Sequence, residues 1–291
     1  NKMAEMHAPN QGSNPLQKYF RQPKIYVSLP SSGEFYPQGV LDKTENNEYP
    51  VYAMTAKDEL TMKTPDALLN GEATVSVIES CMPNIKDGWK IPSLDLDAIL
   101  IAIRIATYGE MMDLHIKVPV TGEEKTFQTD LRVMLDSLNA AEYNNVVELD
   151  GMKVILRPLT YREFTELSIK TFEEQRIFSI VNDDDMPEEE KLLAFNRSFT
   201  KLTDMTVGTL KASIAAVQFE DQTVTNKEHI SEFVDNADKD LFKKVTDHLE
   251  TQKESFSIKP MVVDATEEEI EAGVPETYEI PITFDQTNFF G

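Results

Sequence analysis

Residues 94–108 constrain this chain more than any other stretch. Leu96, Ile99, Leu100, Ile103 and Ala106 recur at helical spacing, and Ile101 and Ile105 cover the opposite side. A helix that is apolar nearly all round must be enclosed by other elements, so this one is expected at the centre of a core. Gly109 ends it. The longest unbroken apolar run, residues 98–103, stops at Arg104, far short of the roughly 20 residues a membrane span needs.

Around this helix the text reads as short strands and capped helices. Residues 25–36 give a strand closed by a Pro/Ser/Gly turn, and residues 49–54 give another. Thr55 followed by Asp58 has the form of a capping box opening a helix through Met62. Pro65 is expected to start a second helix carrying Leu68, Leu69, Val75, Ile78 and Cys81. Residues 114–118 alternate, 119–123 supply a turn with Gly122, and 125–131 return, which predicts a hairpin.

The order then recurs. Residues 145–149 and 152–156 flank Asp150-Gly151, the strongest short hairpin signal in the chain. Thr160 and Glu163 form a second capping box, ahead of a long helix with Phe164, Leu167, Ile169, Phe172, Ile177 and Ile180. Further helices are expected at about 187–203, 206–219 and 227–250, and then a closing strand pair in which residues 256–260 echo residues 114–119. In that register Ile99, Leu100 and Ile103 fall on Leu241, Phe242 and Val245. The expected architecture is α+β: two tandem strand–helix–hairpin repeats, helix-rich, with small antiparallel hairpins. Its parts are a flexible N-terminal arm (1–24), a first α+β unit (25–140), and a second (141–291) with extra helices and an aromatic C-terminal tail.

Composition then excludes several classes of partner. The chain has 28 basic against 51 acidic residues and a formal net charge of −23, which opposes binding to nucleic acid or to anionic lipid. Acidity of this kind also serves solubility alone. Cys81 is the single cysteine, so no intrachain disulfide forms and a reducing compartment is expected. Its position on an apolar helix stripe suits a small buried hydrophobe. His7, His115, His229 and His248 share no metal-ligand spacing, and none of the 11 glycines forms a phosphate cradle. The run 183–190 reads as an acidic turn and helix start rather than a calcium loop, and Trp89 as packing. We expect no catalytic residues, no cofactor and no metal.

Two segments read as contacts. Lys18, Tyr19, Phe20, Arg21 and Lys24 place a basic aromatic patch on an acidic protein, against the alternative of a plain disordered tail. Phe289 and Phe290 lie at the very end of the sequence, where they dock either on the chain's own core or in a partner.

Read together, Leu29-Pro-Ser-Ser-Gly33, Met54-Thr-Ala-Lys-Asp-Glu59, Ala67-Leu-Leu-Asn-Gly71, Ile78-Glu-Ser-Cys81 and the helix through Gly109 resemble the baseplate hub assembly chaperone family of T-even-like contractile-tail phages. The likeness covers residues 25–135 well and the rest loosely. In that family the hairpin turn often holds a Cys-Pro-x-Cys-Gly knuckle. Here Val118-Pro119-Val120-Thr121-Gly122 keeps the proline and glycine and lacks both cysteines, so the hairpin is expected to hold by ladder bonds and the Val118 and Val120 side chains. A terminal Phe-Phe is also a family feature. The resemblance implies a tail-morphogenesis role in the host cytoplasm, bringing hub and tape measure proteins together without chemistry, with Tyr19, Phe20, Arg21, Phe289 and Phe290 as partner contacts. The competing readings are a permanent baseplate or virion subunit, an acid-based hydrolase, and a nucleic-acid mimic drawing only on net charge.

Overall fold

The computed structural model describes residues 14–64, 71–181 and 186–282. The chain is α+β with small antiparallel sheets. A 3-10 turn at Pro15–Tyr19 leads into β1 (Pro23–Val27), which pairs with β2 (Tyr49–Tyr52). Three helices follow: α1 (Ala56–Met62), α2 (Glu72–Cys81) and α3 (Ser93–Tyr108). The hairpin β3 (Met111–Lys117) and β4 (Glu124–Asp130) comes next, and α4 (Leu131–Ala140) completes the first half.

In the second half β5 (Val146–Leu149) and β6 (Met152–Leu156) precede two long helices, α5 (Tyr161–Val181) and α6 (Glu188–Ser213). The strands β7 (Ile214–Phe219) and β8 (Gln222–Val224) then join them in a four-stranded sheet of order β5-β6-β7-β8. Helices α7 (Lys227–Asp235) and α8 (Lys239–Ser255) lead to β9 (Met261–Asp264), α9 (Glu267–Glu271) and β10 (Thr277–Ile280), with β9 and β10 paired. Strand pair, capped helix, further helices and strand pair thus recur in both halves, but the sheets are built differently.

α3 is central, as its all-round apolarity requires: Ile99, Ile101, Ala102 and Ile103 are fully enclosed. The first core packs α3 against β1, β2, α2 and α4. The second gathers Val154, Leu156, Leu210, Val217, Ile230 and Val245.

Several expectations are corrected. Residues 206–219 are not a helix of their own. α6 runs unbroken to Ser213, and Ile214 turns the chain into β7. Ala215 and Ala216 favour helix locally, but ladder pairing with Met152–Leu156 and burial of Ile214, Ala216 and Val217 override that preference. The span 227–250 is two helices, broken where Asn236 ends α7 and Asp238 caps α8 by accepting from the Leu241 N–H. α4 went unread, although Asp130 caps it and Leu131, Leu135 and Leu138 share one face. The closing pair begins at Met261 rather than within 256–260. α2 starts at Glu72, after Gly71 in the left-handed region at φ +82, and the helical residues expected at 65–70 lie outside the described residues.

Nor do the halves follow chain order. After α8 the chain returns to the first half: Ile258, Met261 and Ile282 pack on the first core, while Val274, Tyr278 and Ile280 form a third cluster with Val118 and the β3–β4 hairpin. A second junction joins β-bridge partners Pro92 and Thr160, with Ser93 N–H donating to Leu159 O at 2.7 Å. There Trp89 stacks on Tyr161 with ring centroids 5.6 Å apart, and Arg162 lies over the indole.

Candidate interaction surfaces

Three helix starts share one device. Thr55 and Asp58, Thr160 and Glu163, and Thr266 and Glu269 each form a reciprocal capping box. In each, a cation from elsewhere in the sequence holds the acid. Arg21 lies 3.6 Å from Asp58, Arg157 forks onto Glu163 at 3.0 and 2.8 Å, and Lys125 reaches from β4 to Glu269. Although burial opposes it, the Arg157 bonds and the Thr160 N–H hold the Glu163 carboxyl below its ordinary value.

Arg21 does more than pair. Its guanidinium donates to the carbonyl of Ala53 at the end of β2, and to the carbonyl and hydroxyl of Ser80 near the end of α2, the last at 2.8 Å. The Ser80 hydroxyl in turn donates to Asp58 at 2.8 Å. Arg21, expected at a partner contact, therefore spends its donors on its own fold. The preceding residues point outward. Asn14 caps the 3-10 turn, and Leu16, Tyr19 and Phe20 stand exposed, Tyr19 at 73%. Within the expected arm 1–24, residues 14–24 are thus tied down at Arg21 and at β1, with the aromatics displayed ahead of the anchor. Phe289 and Phe290 lie outside the described residues.

Cys81 is buried, and that burial pushes its thiol up to about 11, away from the thiolate a nucleophile requires. The His115 ring pairs with Thr126 at 2.9 Å on the exposed hairpin. Asp95 is fully buried on α3 and accepts from the Ser31 N–H (2.7 Å), the Ser31 hydroxyl (2.5 Å) and the Tyr36 hydroxyl (2.8 Å). It fastens the loop after β1 to the central helix. Among the described residues no three His, Cys, Asp or Glu side chains are grouped as a metal would require, and no helix is long and apolar enough to cross a membrane. At the hairpin turn Val118 is buried as expected, whereas Val120 is 73% exposed with φ +68 and is not part of the buried cluster.

Sequence reading missed an apolar display on the α5–α6 pair. Leu192, Phe195 and Phe199 recur at three-four spacing on α6 and are exposed, as is Phe172 on α5. Among the described residues of the distal stretch, two polar side chains are buried: Glu174, which meets Lys201 at 3.0 Å, and Ser198. Toward the body a groove of about 280 Å³ runs between α5, α6 and α8, lined by Leu167, Leu202, Thr206, Leu210 and Leu249. The signal that could have found this display was the continuous stripe 192, 195, 199, 202, 206.

The α+β chain thus carries the Arg21 clasp and displays apolar side chains on its N-terminal turn and helical pair. A family model described as T4 bacteriophage base plate protein matches residues 22–271. The chain therefore belongs to that family and is a phage baseplate protein. No curated protein and no solved structure matches it.

Proposed function

We propose that this baseplate protein acts as an assembly factor, holding hub and tape measure proteins together in the host cytoplasm before the tail tube polymerises, without catalysis. Membership of the baseplate family supports the setting. The observation that carries the binding role is the anchored N-terminal turn. Tyr19 and Phe20 leave apolar surface in water, at roughly 25 cal/mol per Å², while Arg21 holds the segment in place. A pre-ordered aromatic pair loses less entropy on docking than a free tail does. The −23 charge keeps such a carrier dispersed while it holds an apolar client.

The test is co-expression with the tape measure and hub proteins followed by pull-down. Replacing Tyr19 and Phe20 by serine is expected to lower recovery of the client at least tenfold with the fold intact. Undiminished capture rejects the N-terminal contact, and deleting residues 288–291 asks the same of Phe289 and Phe290. The family description also suits a permanent baseplate subunit. Mass spectrometry of purified particles separates the two readings, since an assembly factor is absent from them and a subunit is present in stoichiometric amount.

A further inference from the structure

The N-terminal turn runs straight into β1, and the two display one kind of side chain. Along β1 the side chains alternate, so Ile25 and Val27 turn toward the first core while Lys24 and Tyr26 stand in solvent. Leu16, Tyr19, Phe20 and Tyr26 are each more than half exposed, and none belongs to an apolar cluster among the described residues. Arg21 sits between turn and strand and donates to the carbonyls of Ala53 and Ser80. The display is therefore held in place before any partner arrives.

Its charge is opposite to that of the molecule. Residues 14–33 hold Lys18, Arg21 and Lys24 and no acid, and residues 1–13 hold one lysine, Lys2, and one acid, Glu5. The first 33 residues thus have four of the 28 bases and only one of the 51 acids. Arg21 is met by Asp58. Lys18 lies over the Tyr19 ring at 4.9 Å, and among the described residues neither it nor Lys24 is paired with a carboxylate. A cationic partner is attracted over the whole acidic surface and gains nothing by choosing this turn. An anionic one is repelled by the body, and here it meets apolar side chains flanked by two ammonium groups. A nucleic acid strand could stack on the same aromatics. It carries a charge at every phosphate, however, so the repulsion grows with each nucleotide. A protein segment with a few carboxylates does not incur that cost.

We propose that the N-terminal turn and the outer face of β1 together dock an acidic, apolar segment of a partner protein. Its apolar side chains rest on Tyr19, Phe20 and Tyr26, and its carboxylates meet Lys18 and Lys24. This rests on the reading of Tyr19 and Phe20 as a partner contact and adds what kind of sequence they hold. Lys18 and Lys24 lie at most about 21 Å apart along the chain, within the length of a helix of about four turns.

Photo-cross-linking of the full chain carrying Tyr19→p-benzoylphenylalanine tests this. The probes are two synthetic helical peptides of about 15 residues that share one apolar stripe and are flanked by glutamate in one and by lysine in the other. At position 19 the glutamate peptide is expected to be labelled at least tenfold more than the lysine peptide. Adding Lys18→Gln and Lys24→Gln is expected to remove that preference. With Val133→p-benzoylphenylalanine, an exposed position on α4, the lysine peptide is expected to lead. Equal labelling at position 19, or none, overturns the proposal, as does a glutamate preference that survives loss of both lysines. Stronger labelling of a thymidine oligonucleotide than of the glutamate peptide also overturns it, and makes the ligand a nucleic acid. The pull-down with Tyr19→Ser and Phe20→Ser decides the assembly reading separately. Client capture lost there, with no glutamate preference at position 19, keeps the contact and rejects its acidic occupant.

Discussion

Asp95 shows how one buried group can set the pH response of a core. Removal from water pushes its carboxyl up to about 6, against the three hydrogen bonds from Ser31 and Tyr36 that favour the charged form. Asp97, two residues further along the same helix, is pushed up to about 6 by burial alone. For an acid whose folded value lies above its unfolded one, the folded state holds the proton more tightly. Each group therefore adds stability at low pH and loses it as pH rises through about 6. A rise of about two units corresponds to on the order of 3 kcal/mol per group. The melting temperature is expected to fall by several degrees between pH 5 and pH 7. Asp95→Asn keeps an acceptor for the Ser31 N–H and removes the titration, so it should lose about half of that slope. Melting curves across this range decide the matter, and a variant slope equal to the wild type's removes Asp95 as the cause. The depressed carboxyls of Glu163, Glu174 and Glu269 act with opposite sign at more acid pH.

Between elements, the joints are capping boxes locked by cations, two of them distant in sequence and Arg157 only six residues from Glu163. Arg21 ties the N-terminal turn to β2, α1 and α2 at once. Its removal leaves the buried Asp58 and two carbonyls short of a donor. Arg21→Ala should thus cost about 2–3 kcal/mol in urea unfolding. Arg21→Lys should recover little, because one ammonium cannot fork across those acceptors. Tyr19→Ser, at a largely exposed position, should change stability by less than about 0.5 kcal/mol. A neutral Arg21→Ala would return this residue to the role of a partner contact. Thr55 with Asp58 and Thr160 with Glu163 were legible as boxes because both members lie three residues apart. The Arg21 cation was not, since Arg21 and Asp58 meet only through the packing of β1 on β2 and α1 on α2.

At the scale of the molecule, the return of the chain after α8 decides how the halves behave. Lys125 on β4 pins Glu269 at the start of α9, beside the cluster of Val118, Val274, Tyr278 and Ile280. Lys125→Met is expected to lower hydrogen-exchange protection of residues 261–280 at least tenfold while leaving the β5–β8 sheet unchanged. Equal loss in both regions would show one cooperative unit, and no loss would show that the apolar cluster alone holds the return.

What the sequence determined by itself is what neighbours along the chain decide: the enclosed helix α3, the Asp150-Gly151 hairpin, the capping boxes and the acidity. Helical period, turn geometry and cap chemistry act over a few residues, so they can be read there. The tertiary structure alone decided that Ile214–Phe219 is a strand, because its partner strand β6 lies some sixty residues earlier. It also decided that the last strand pair belongs with the first half, that Arg21 points inward, and that Phe195 and Phe199 do not. Those outcomes depend on which surfaces meet after the chain has collapsed, and burial is a property of the assembled fold rather than of any short stretch of it.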